Sequence, residues 1–439
     1  MGNDRLPKKI VFIASLATAL VASPPGGGAM SAAIPGQQPS VIWIGLDGAD
    51  PDLLEQWVRE GFLPTFSRLM KEGSYGRTDV NIGTTFSPNV WTSIFTGQRP
   101  EKHGILFPPG LKDIPSSQRK TKAIWNILSE HDRRVASVGH LVTWPAEPVR
   151  GTILSRFYLK AGVPRSIYPD NLYQELLAHW RSQQGAIQKM QDLMDPYRPS
   201  SPSQTEFPDD PRGNYLREKQ KDLNNLTVSE RDAYALATGL YLLENRPFDF
   251  FTVYFVGCDY LGHRFARYMP PVDDYVPTED ATRYAHALRD YYIMMDRFIE
   301  RLLSHAGENT TVVICSDHGT TKKEPLTPDD VRAGKPAGNH VDVGIVLFKG
   351  PAIKNGYPIP RSSILDLTPT VLYLLGLPVA GDMDGRVLTD MIRPAYFEDH
   401  PVRRVDSFGP PTHIPLDFPL EKVVNPKELD ELRSLGYLK

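Results

Sequence analysis

The chain has 439 residues, a formal net charge of −3 and 41% hydrophobic residues. This length allows one large α/β domain with an insertion, or two domains, and this apolar fraction allows a substantial buried core. The charge, which forms no basic stripe, excludes specific nucleic-acid binding and anionic-membrane binding through bulk electrostatics. With only two cysteines, Cys258 and Cys315, a disulfide framework is excluded, and we expect both to be buried free thiols.

The N-terminus has the pattern of an export signal. Basic residues, Arg5, Lys8 and Lys9, precede an apolar run from Ile10 to Ala22 that is short for a membrane span. We therefore predict a signal peptide over residues 1–23 and a linker over residues 24–40. The alternative is an uncleaved anchor, which would be the one source of membrane contact. We therefore expect an exported protein, periplasmic or secreted if the signal is cleaved and anchored to the membrane through this segment if it is not.

The first predicted elements carry an aspartate and a serine. The apolar run that begins at Val41 ends in Asp47 and predicts a central parallel strand with an acidic tip. Helical patterning follows over residues 51–72. Ser87 stands before Pro88, which predicts a helix of about ten residues that Ser87 caps and that Gly97 ends.

The later elements repeat this alternation of strands and helices. Strands are predicted over residues 248–256, 311–315 and 343–348, and a long helix over residues 281–306. From about Tyr158 to Asn245 the pattern becomes helical and polar, so we expect an inserted, mainly helical cap that covers the crevice at the carboxyl ends of the strands. The spacing predicts an α/β domain over residues 41–439, with a doubly wound, mostly parallel central sheet flanked by helices.

Residues whose side chains can bind a metal ion or act as a nucleophile lie just after these strands or at predicted turns and helix starts. In an open α/β sheet the carboxyl ends of the strands meet at one crevice, so we expect these side chains to lie close together there. Three carboxylates, three imidazoles and a hydroxyl would bind two divalent cations and hold a nucleophile between them. Taken singly, each has an ordinary alternative, such as a cap or a structural histidine. The residues are Asp47, Ser87, Asp259, His263, Asp317, His318 and His340.

The order and spacing of these residues resemble those of a known family. From about residue 41 to 390 the chain resembles the alkaline phosphatase superfamily, in its type I phosphodiesterase/nucleotide pyrophosphatase branch. The resemblance implies an alkaline-phosphatase-like fold. The matching segments are Ile44–Gly48, Ser87–Gly97, Pro100–Gly104, Asp259–His263, Ser316–Gly319, His340 before Gly344, Leu365–Leu372 and Asp384–Gly385.

The resemblance also implies a ligand set and a mechanism. One ion would be held by Asp259, His263 and His340, and the second by Asp47, Asp317, His318 and Ser87. Zinc is the usual metal of the family, and N/O ligation is also compatible with manganese. Ser87 would attack phosphorus, a phosphoserine would form, and water would then hydrolyse it. Thr85 and Asn89 are candidates for binding the phosphoryl oxygens.

Several functions remain open at this stage. A sulfatase is disfavoured because Ser87-Pro88 is followed by Asn89-Val90 rather than by the arginine that sulfatases need. The absence of an arginine beside Ser87 in the sequence favours a small-molecule phosphodiester or pyrophosphate over a phosphomonoester. Alternatives on the same site are a phosphonate hydrolase, a phosphoryl-headgroup transferase, or a catalytically silent binding protein. The sequence leaves the oligomeric state open.

Overall fold

A computed structural model describes residues 40–106, 114–160, 162–194, 228–272, 276, 278–322 and 338–412. The predicted signal peptide and all of the predicted linker except Ser40 lie outside these residues. Among the helices in the described ranges, none combines the length and apolarity needed to cross a membrane.

The strands of the central sheet come from the whole described chain. They are β1 (Val41–Leu46), β2 (Ser74–Asp79), β3 (Val135–Val138), β4 (Gly151–Leu154), β5 (Ile167–Tyr168), β6 (Phe250–Phe255), β7 (Thr311–Cys315), β10 (Val343–Lys349) and β11 (Tyr357–Ser363). Two small ribbons lie beside this sheet. They pair β8 (Gly319–Lys322) with β9 (Gly338–Val341), and β12 (Val379–Ala380) with β13 (Arg404–Val405).

The helices separate the strands along the chain. They are α1 (Pro51–Arg59), α2 (Pro64–Glu72), α3 (Ser87–Thr96), α4 (Pro100–His103), α5 (Ile124–Glu130), α6 (Leu172–Met194), α7 (Val228–Asn245), α8 (Gly257–Phe265), α9 (Thr278–Tyr284), α10 (Ala287–Leu303), α11 (Leu367–Leu374) and α12 (Pro394–Asp399).

Within the described ranges, the central sheet has nine strands in the order β11-β2-β10-β7-β1-β6-β3-β4-β5. Its middle strands, from β7 to β4, all run parallel. β10 runs antiparallel to both β7 and β2, and β5 runs antiparallel to β4 at the edge. The sheet is therefore mixed but mostly parallel, which confirms the predicted fold class.

Helices cover both faces of this sheet, as a doubly wound fold requires. Successive residues of a strand point to opposite faces. Trp43 packs in one core cluster with Trp91 and Phe95 of α3, whereas Ile44 packs in the other with Phe298 of α10. Every residue of β1 is buried, and so is every residue of β6, because both strands lie between these two layers.

The predicted helical regions each contain two helices in the structure. The helical patterning over residues 51–72 corresponds to α1 and α2, which are separate because Gly61 adopts φ +82° and Pro64 begins the second helix. The long helix expected over residues 281–306 is α9 followed by α10, and Ala285 and His286 separate them. The prediction of one long helix over residues 281–306 is therefore wrong. The prediction of buried free thiols at Cys258 and Cys315 is confirmed.

The described parts of the predicted cap pack on the sheet. β5 pairs with β4, and α6 and α7 contact each other and the main core, where Leu236 of α7 and Phe251 of β6 belong to one cluster. Residues 195–227 lie outside the described residues. That a segment of this region covers the site therefore stays a prediction.

Candidate active site

Asp47 and Ser87 meet at the carboxyl end of β1. Asp47 directly follows the strand, and its Oδ1 accepts a hydrogen bond from Ser87 Oγ at 3.3 Å. Ser87 is the first residue of α3, and Phe86 occupies the cap position without a side-chain cap bond. The prediction that Ser87 caps the helix is therefore wrong. Its hydroxyl is directed at the Asp47 carboxylate instead of at the helix backbone, while α3 has the predicted ten-residue length and ends at Gly97.

A backbone contact joins α8 to the end of β1. The Asp259 amide donates to the Asp47 carbonyl at 2.8 Å, which brings the first turn of α8 against β1. The approach requires glycine at position 48, where φ is +67° and an added Cβ would lie 2.7 Å from Asp259 Cα. Asp259 and His263 then share one face of α8, as predicted, and Asp259 Oδ1 lies 3.1 Å from His263 Nε2.

His340 of β9 completes a compact set of three donor atoms. Its Nε2 lies 2.8 Å from His263 Nε2 and 3.1 Å from Asp259 Oδ1. Its other ring nitrogen, Nδ1, lies 3.1 Å from the Thr85 carbonyl oxygen, which leaves Nε2 directed at the set. Two imidazole nitrogens and a carboxylate oxygen at this separation have the chemistry of a zinc-type ligand set. Thr85 thus contacts this set through its main chain.

Asp317 and His318 follow β7 and form a second set with Asp47. His318 Nε2 lies 3.4 Å from Asp317 Oδ2 and 3.5 Å from Asp47 Oδ1. His318 Nδ1 faces the carbonyl oxygen of Gly319 at 3.1 Å, and Gly48 donates its amide to Asp317 Oδ1 at 3.0 Å. These contacts hold the remaining ligand atoms toward Asp47.

Two atoms of this second set are buried without a hydrogen-bond partner among the described residues, namely Asp317 Oδ2 and His318 Nε2. Buried polar atoms are normally hydrogen-bonded, and an unpaired one costs free energy. A lone pair on the carboxylate oxygen and one on the imidazole nitrogen would both be satisfied by a divalent cation. The donor set in this structure therefore fits a metal ion.

The two sets adjoin each other through His318. Its ring stacks on the His340 ring, with centroids 3.7 Å apart, and its Nε2 lies 4.0 Å from Asp259 Oδ1. Ligand atoms of Asp259, His318 and His340 form one close group, and those of Asp47, Asp317 and His318 form another. All seven residues that the sequence singles out thus meet at the carboxyl ends of β1, β6 and β7 and the segments that follow them.

Burial and neighbouring charges shift the pKa values of the titratable residues in the site. Burial and the neighbouring Asp47 raise the pKa of Asp317 well above its ordinary value. Burial also raises the pKa of Asp259, but His263 and His340 outweigh it and hold that pKa well below the ordinary value. Burial lowers the pKa of His318 to about 3, so its imidazole is neutral, the form that ligates metals. Closely spaced carboxylates beside the neutral His318 imidazole favour a divalent cation.

Two further residues lie close to Ser87 and Asp47. Asn89 is buried in the first turn of α3, two residues after Ser87. Tyr254, which the sequence reasoning missed, donates its hydroxyl to Asp47 Oδ2 from near the end of β6. The sequence signal that could have identified Tyr254 is a hydroxyl-bearing residue next to last in a buried, otherwise mainly apolar strand. Tyr254 and Ser87 together engage both oxygens of Asp47.

Comparisons with known proteins add a family likeness. The sequence model of a family described as type I phosphodiesterase / nucleotide pyrophosphatase matches residues 41–332. No curated protein sequence matches the chain. Among solved structures, human ectonucleotide pyrophosphatase / phosphodiesterase 5 has 13% identity and a TM-score of 0.44, covering 80% of this chain and 99% of that chain.

Two further solved structures have comparable scores. The murine ectonucleotide pyrophosphatase / phosphodiesterase 5, in an inactive form in complex with AMP, has 13% identity and a TM-score of 0.46. It covers 81% of this chain and 100% of its own. A 2-O GAG sulfatase has 15% identity and a TM-score of 0.47, covering 80% of this chain and 73% of that chain.

Proposed function

The chain belongs to the type I phosphodiesterase/nucleotide pyrophosphatase family, and on that premise we propose that it hydrolyses phosphodiester or pyrophosphate bonds of small molecules with Ser87 as the nucleophile. The observation that carries this proposal is the contact of Ser87 Oγ with Asp47 inside a cluster of six metal-type side chains. An isolated helix-capping serine would not need such surroundings.

We propose that the two ligand sets bind two divalent cations. Asp259, His263 and His340 would hold one ion, and Asp47, Asp317 and His318, with Ser87 Oγ beside them, would hold the other. Zinc suits this mixture of carboxylate and imidazole donors, and manganese is compatible with it. When bound, such ions would offset phosphoryl charge and lower the pKa of the serine hydroxyl.

The residues of the chain supply positioning and proton transfer. Ser87 Oγ attacks phosphorus, the bond from phosphorus to the leaving oxygen breaks, and a phosphoserine forms. The hydroxyl proton is directed at Asp47 Oδ1, which accepts it in the ground-state hydrogen bond. Ser87 begins the ten-residue helix α3, whose positive N-terminal end favours an anion on this oxygen. Water then attacks the phosphoserine, and the bond from Oγ to phosphorus breaks.

A second candidate uses the same residues with another acceptor or substrate. A phosphoryl-headgroup transferase would pass the group from Ser87 to an alcohol, and a phosphonate hydrolase would cleave a carbon–phosphorus bond. Product analysis with and without an acceptor alcohol separates transfer from hydrolysis, and a phosphonate substrate tests the other reaction. Export to the periplasm or the medium belongs to the same proposal, and N-terminal sequencing of the mature protein tests it.

The nucleophile is tested by Ser87→Ala with bis-p-nitrophenyl phosphate as the substrate. We expect kcat to fall by at least about 10³-fold, because no other oxygen takes the place of the hydroxyl. Metal content and the circular dichroism spectrum should stay those of the unmodified protein. Ser67→Ala, on α2 and away from the site, is the matched control. Unchanged turnover by the Ser87→Ala protein would reject the assignment.

A further inference from the structure

A buried carboxylate outside the two ligand sets bonds to the start of α8. Asp232 lies near the start of α7 and is 2% exposed. One of its carboxylate oxygens accepts from the Val256 amide at 3.1 Å. The other accepts from the Gly257 amide at 2.9 Å and from the Tyr291 hydroxyl. Both oxygens are therefore engaged with segments that precede α8 in space or pack against it.

The two amides belong to the end of α8 that a helix leaves unpaired. Val256 occupies the cap position and Gly257 is the first residue, and the cap position supplies no side-chain hydrogen bond. The first amides of a helix have no partner within the helix, and a buried unpaired amide costs free energy. Asp232 thus supplies, from another helix, the cap that α8 lacks locally, and its charge suits the positive end of α8.

The helix that Asp232 caps carries two of the predicted metal ligands. Asp259 is the third residue of α8, and His263 lies on the same face. The first turn is bonded to the rest of the chain by the Asp259 amide, which donates to the Asp47 carbonyl, and by the two amides that donate to Asp232. Ligand distances in metal sites hold to within about 0.2 Å. A displacement of this turn relative to His340 of β9 would therefore weaken the set.

Tyr291 of α10 fits closely around this cap. Its hydroxyl donates to Asp232, and a Cβ added at Gly257 would overlap the same hydroxyl. Glycine at position 257 therefore lets α8 begin directly against the carboxylate and α10. Leu236 of α7 and Phe298 of α10 are buried in one core cluster. The carboxylate is thus held in place by helices that are packed into the core.

We propose that Asp232 is a positioning residue of the candidate active site, which fixes Asp259 and His263 and so raises the affinity for the ion that they would hold with His340. It acts through α8 rather than as a ligand. α7 belongs to the region that the sequence predicts as an inserted cap, so on this proposal that region also helps to build the ligand set. The inference rests on the proposed function, and it adds a residue beyond the seven that the sequence singles out.

Asp296 of α10 offers a matched control. This buried aspartate accepts from the amides of Thr65 and Phe66, at 3.1 and 2.9 Å, so it caps α2 in the same manner. Leu63, at the cap position of α2, likewise supplies no side-chain bond. α2 carries none of the seven site residues. Loss of either cap should destabilise the fold, whereas only loss of Asp232 should change metal binding.

The test is a zinc titration of the full-length protein in competition with a chromogenic chelator. Asp317→Ala disrupts one ligand set and His263→Ala disrupts the other, so each background reports on a single ion. In the Asp317→Ala background we expect Asp232→Ala to weaken zinc binding about 10- to 100-fold. In the His263→Ala background we expect a change of less than about threefold. Equal losses in the two backgrounds, or no loss in the first, would overturn the proposal.

The control separates positioning from general destabilisation. Asp296→Ala should lower the urea midpoint of unfolding, as Asp232→Ala does, but change zinc affinity in either background by less than about threefold. If Asp296→Ala weakens zinc binding as much as Asp232→Ala does, the effect is general destabilisation and the positioning role is rejected.

A milder pair of variants serves if Asp232→Ala does not fold. Asp232→Asn keeps the side-chain volume and one acceptor oxygen, and Asp296→Asn is its control. In the Asp317→Ala background we expect Asp232→Asn to weaken zinc binding at least about fivefold, because one amide of α8 loses its acceptor. Zinc affinity equal to that of the Asp296→Asn protein rejects the role.

Turnover of bis-p-nitrophenyl phosphate separates failure of this inference from failure of the proposed function. If the unmodified protein binds zinc but hydrolyses no phosphodiester, while Asp232→Ala weakens zinc binding selectively, the proposed function fails and the role of Asp232 stands. If the unmodified protein hydrolyses the diester and Asp232→Ala leaves zinc affinity unchanged, the function stands and the positioning role fails.

Discussion

Tyr254 donates its hydroxyl to the carboxylate oxygen of Asp47 that does not face Ser87. The carboxylate is therefore held from two sides, by a residue of β6 and by the first residue of α3. Burial and the charge of Asp47 raise the pKa of Tyr254 well above its ordinary value, so the phenol keeps its proton. Tyr254 thus acts as a permanent donor that orients Asp47 toward Ser87 and toward His318.

Replacing Tyr254 should lower turnover and metal affinity without unfolding the protein. For Tyr254→Phe we expect kcat to fall about 10- to 100-fold and metal affinity to fall within the same range, because Asp47 loses its orienting bond. Kinetics with bis-p-nitrophenyl phosphate and metal titration measure both. Tyr241→Phe removes a hydroxyl that bonds Glu175 at the surface and serves as the control. If neither kcat nor metal affinity changes, Tyr254 does not position Asp47.

Removal of the metal should abolish turnover reversibly. The site gathers three carboxylates and three imidazoles, and without cations its carboxylates repel the negative charge of a phosphoryl group. We expect dialysis against a chelator to eliminate hydrolysis of bis-p-nitrophenyl phosphate, and Zn²⁺ or Mn²⁺ to restore it. Metal analysis of each sample is the necessary control. Full activity in a sample shown to be metal-free would exclude the proposed mechanism.

Gly48 should tolerate no side chain, because Asp259 lies against it. Gly48→Ala adds a Cβ 2.7 Å from Asp259 Cα and strains a backbone at φ +67°. We expect the free energy of unfolding to fall by about 1–3 kcal/mol and metal content to fall with it.

The control for this substitution is Gly61→Ala. Gly61 also has a positive φ, of +82°, but nothing lies within 4 Å of its added Cβ. The Gly61→Ala protein should therefore be destabilised by the backbone strain but keep its metal content. Equal metal content in the two variants would mean that the contact between Gly48 and Asp259 does not shape the site.

A buried histidine should make the protein sensitive to acid. His140 is enclosed by the rings of Trp91, Phe95 and Tyr254, and burial lowers its pKa from the ordinary 6.5 to about 3. Below pH 6.5 the unfolded chain therefore binds a proton that the folded chain does not. The free energy of unfolding should fall as the pH falls through the window from 6.5 to 3, by about 1.4 kcal/mol per pH unit for this residue.

This contribution is measured by denaturant unfolding of the chelator-treated protein at pH 7 and pH 5. His140→Gln should reduce the difference between the two pH values by about 2 kcal/mol. His400→Gln, at an exposed position, should leave the difference as it is. The same difference in the His140→Gln protein as in the unmodified one would show that His140 is not the source.

The sequence alone determined the elements that depend on local pattern. Strand β7 has the predicted bounds, because a mainly apolar run of this length requires burial between two layers of helices. The sequence also predicted where the metal-type side chains lie. Asp47 and Asp317 follow parallel strands, so the sequence alone predicts that they meet at one edge of the sheet.

The tertiary structure decided what depends on contacts between distant segments. An apolar run does not reveal the direction of its strand, and β10 turned out antiparallel to β7. The Ser-Pro pattern predicted a cap, but Ser87 bonds to Asp47, 40 positions away in the chain. The roles of Tyr254 and Gly48 depend on the packing of α8 and β6 against β1. Local periodicity reports which side of an element is buried, whereas only the assembled sheet determines which atoms meet there.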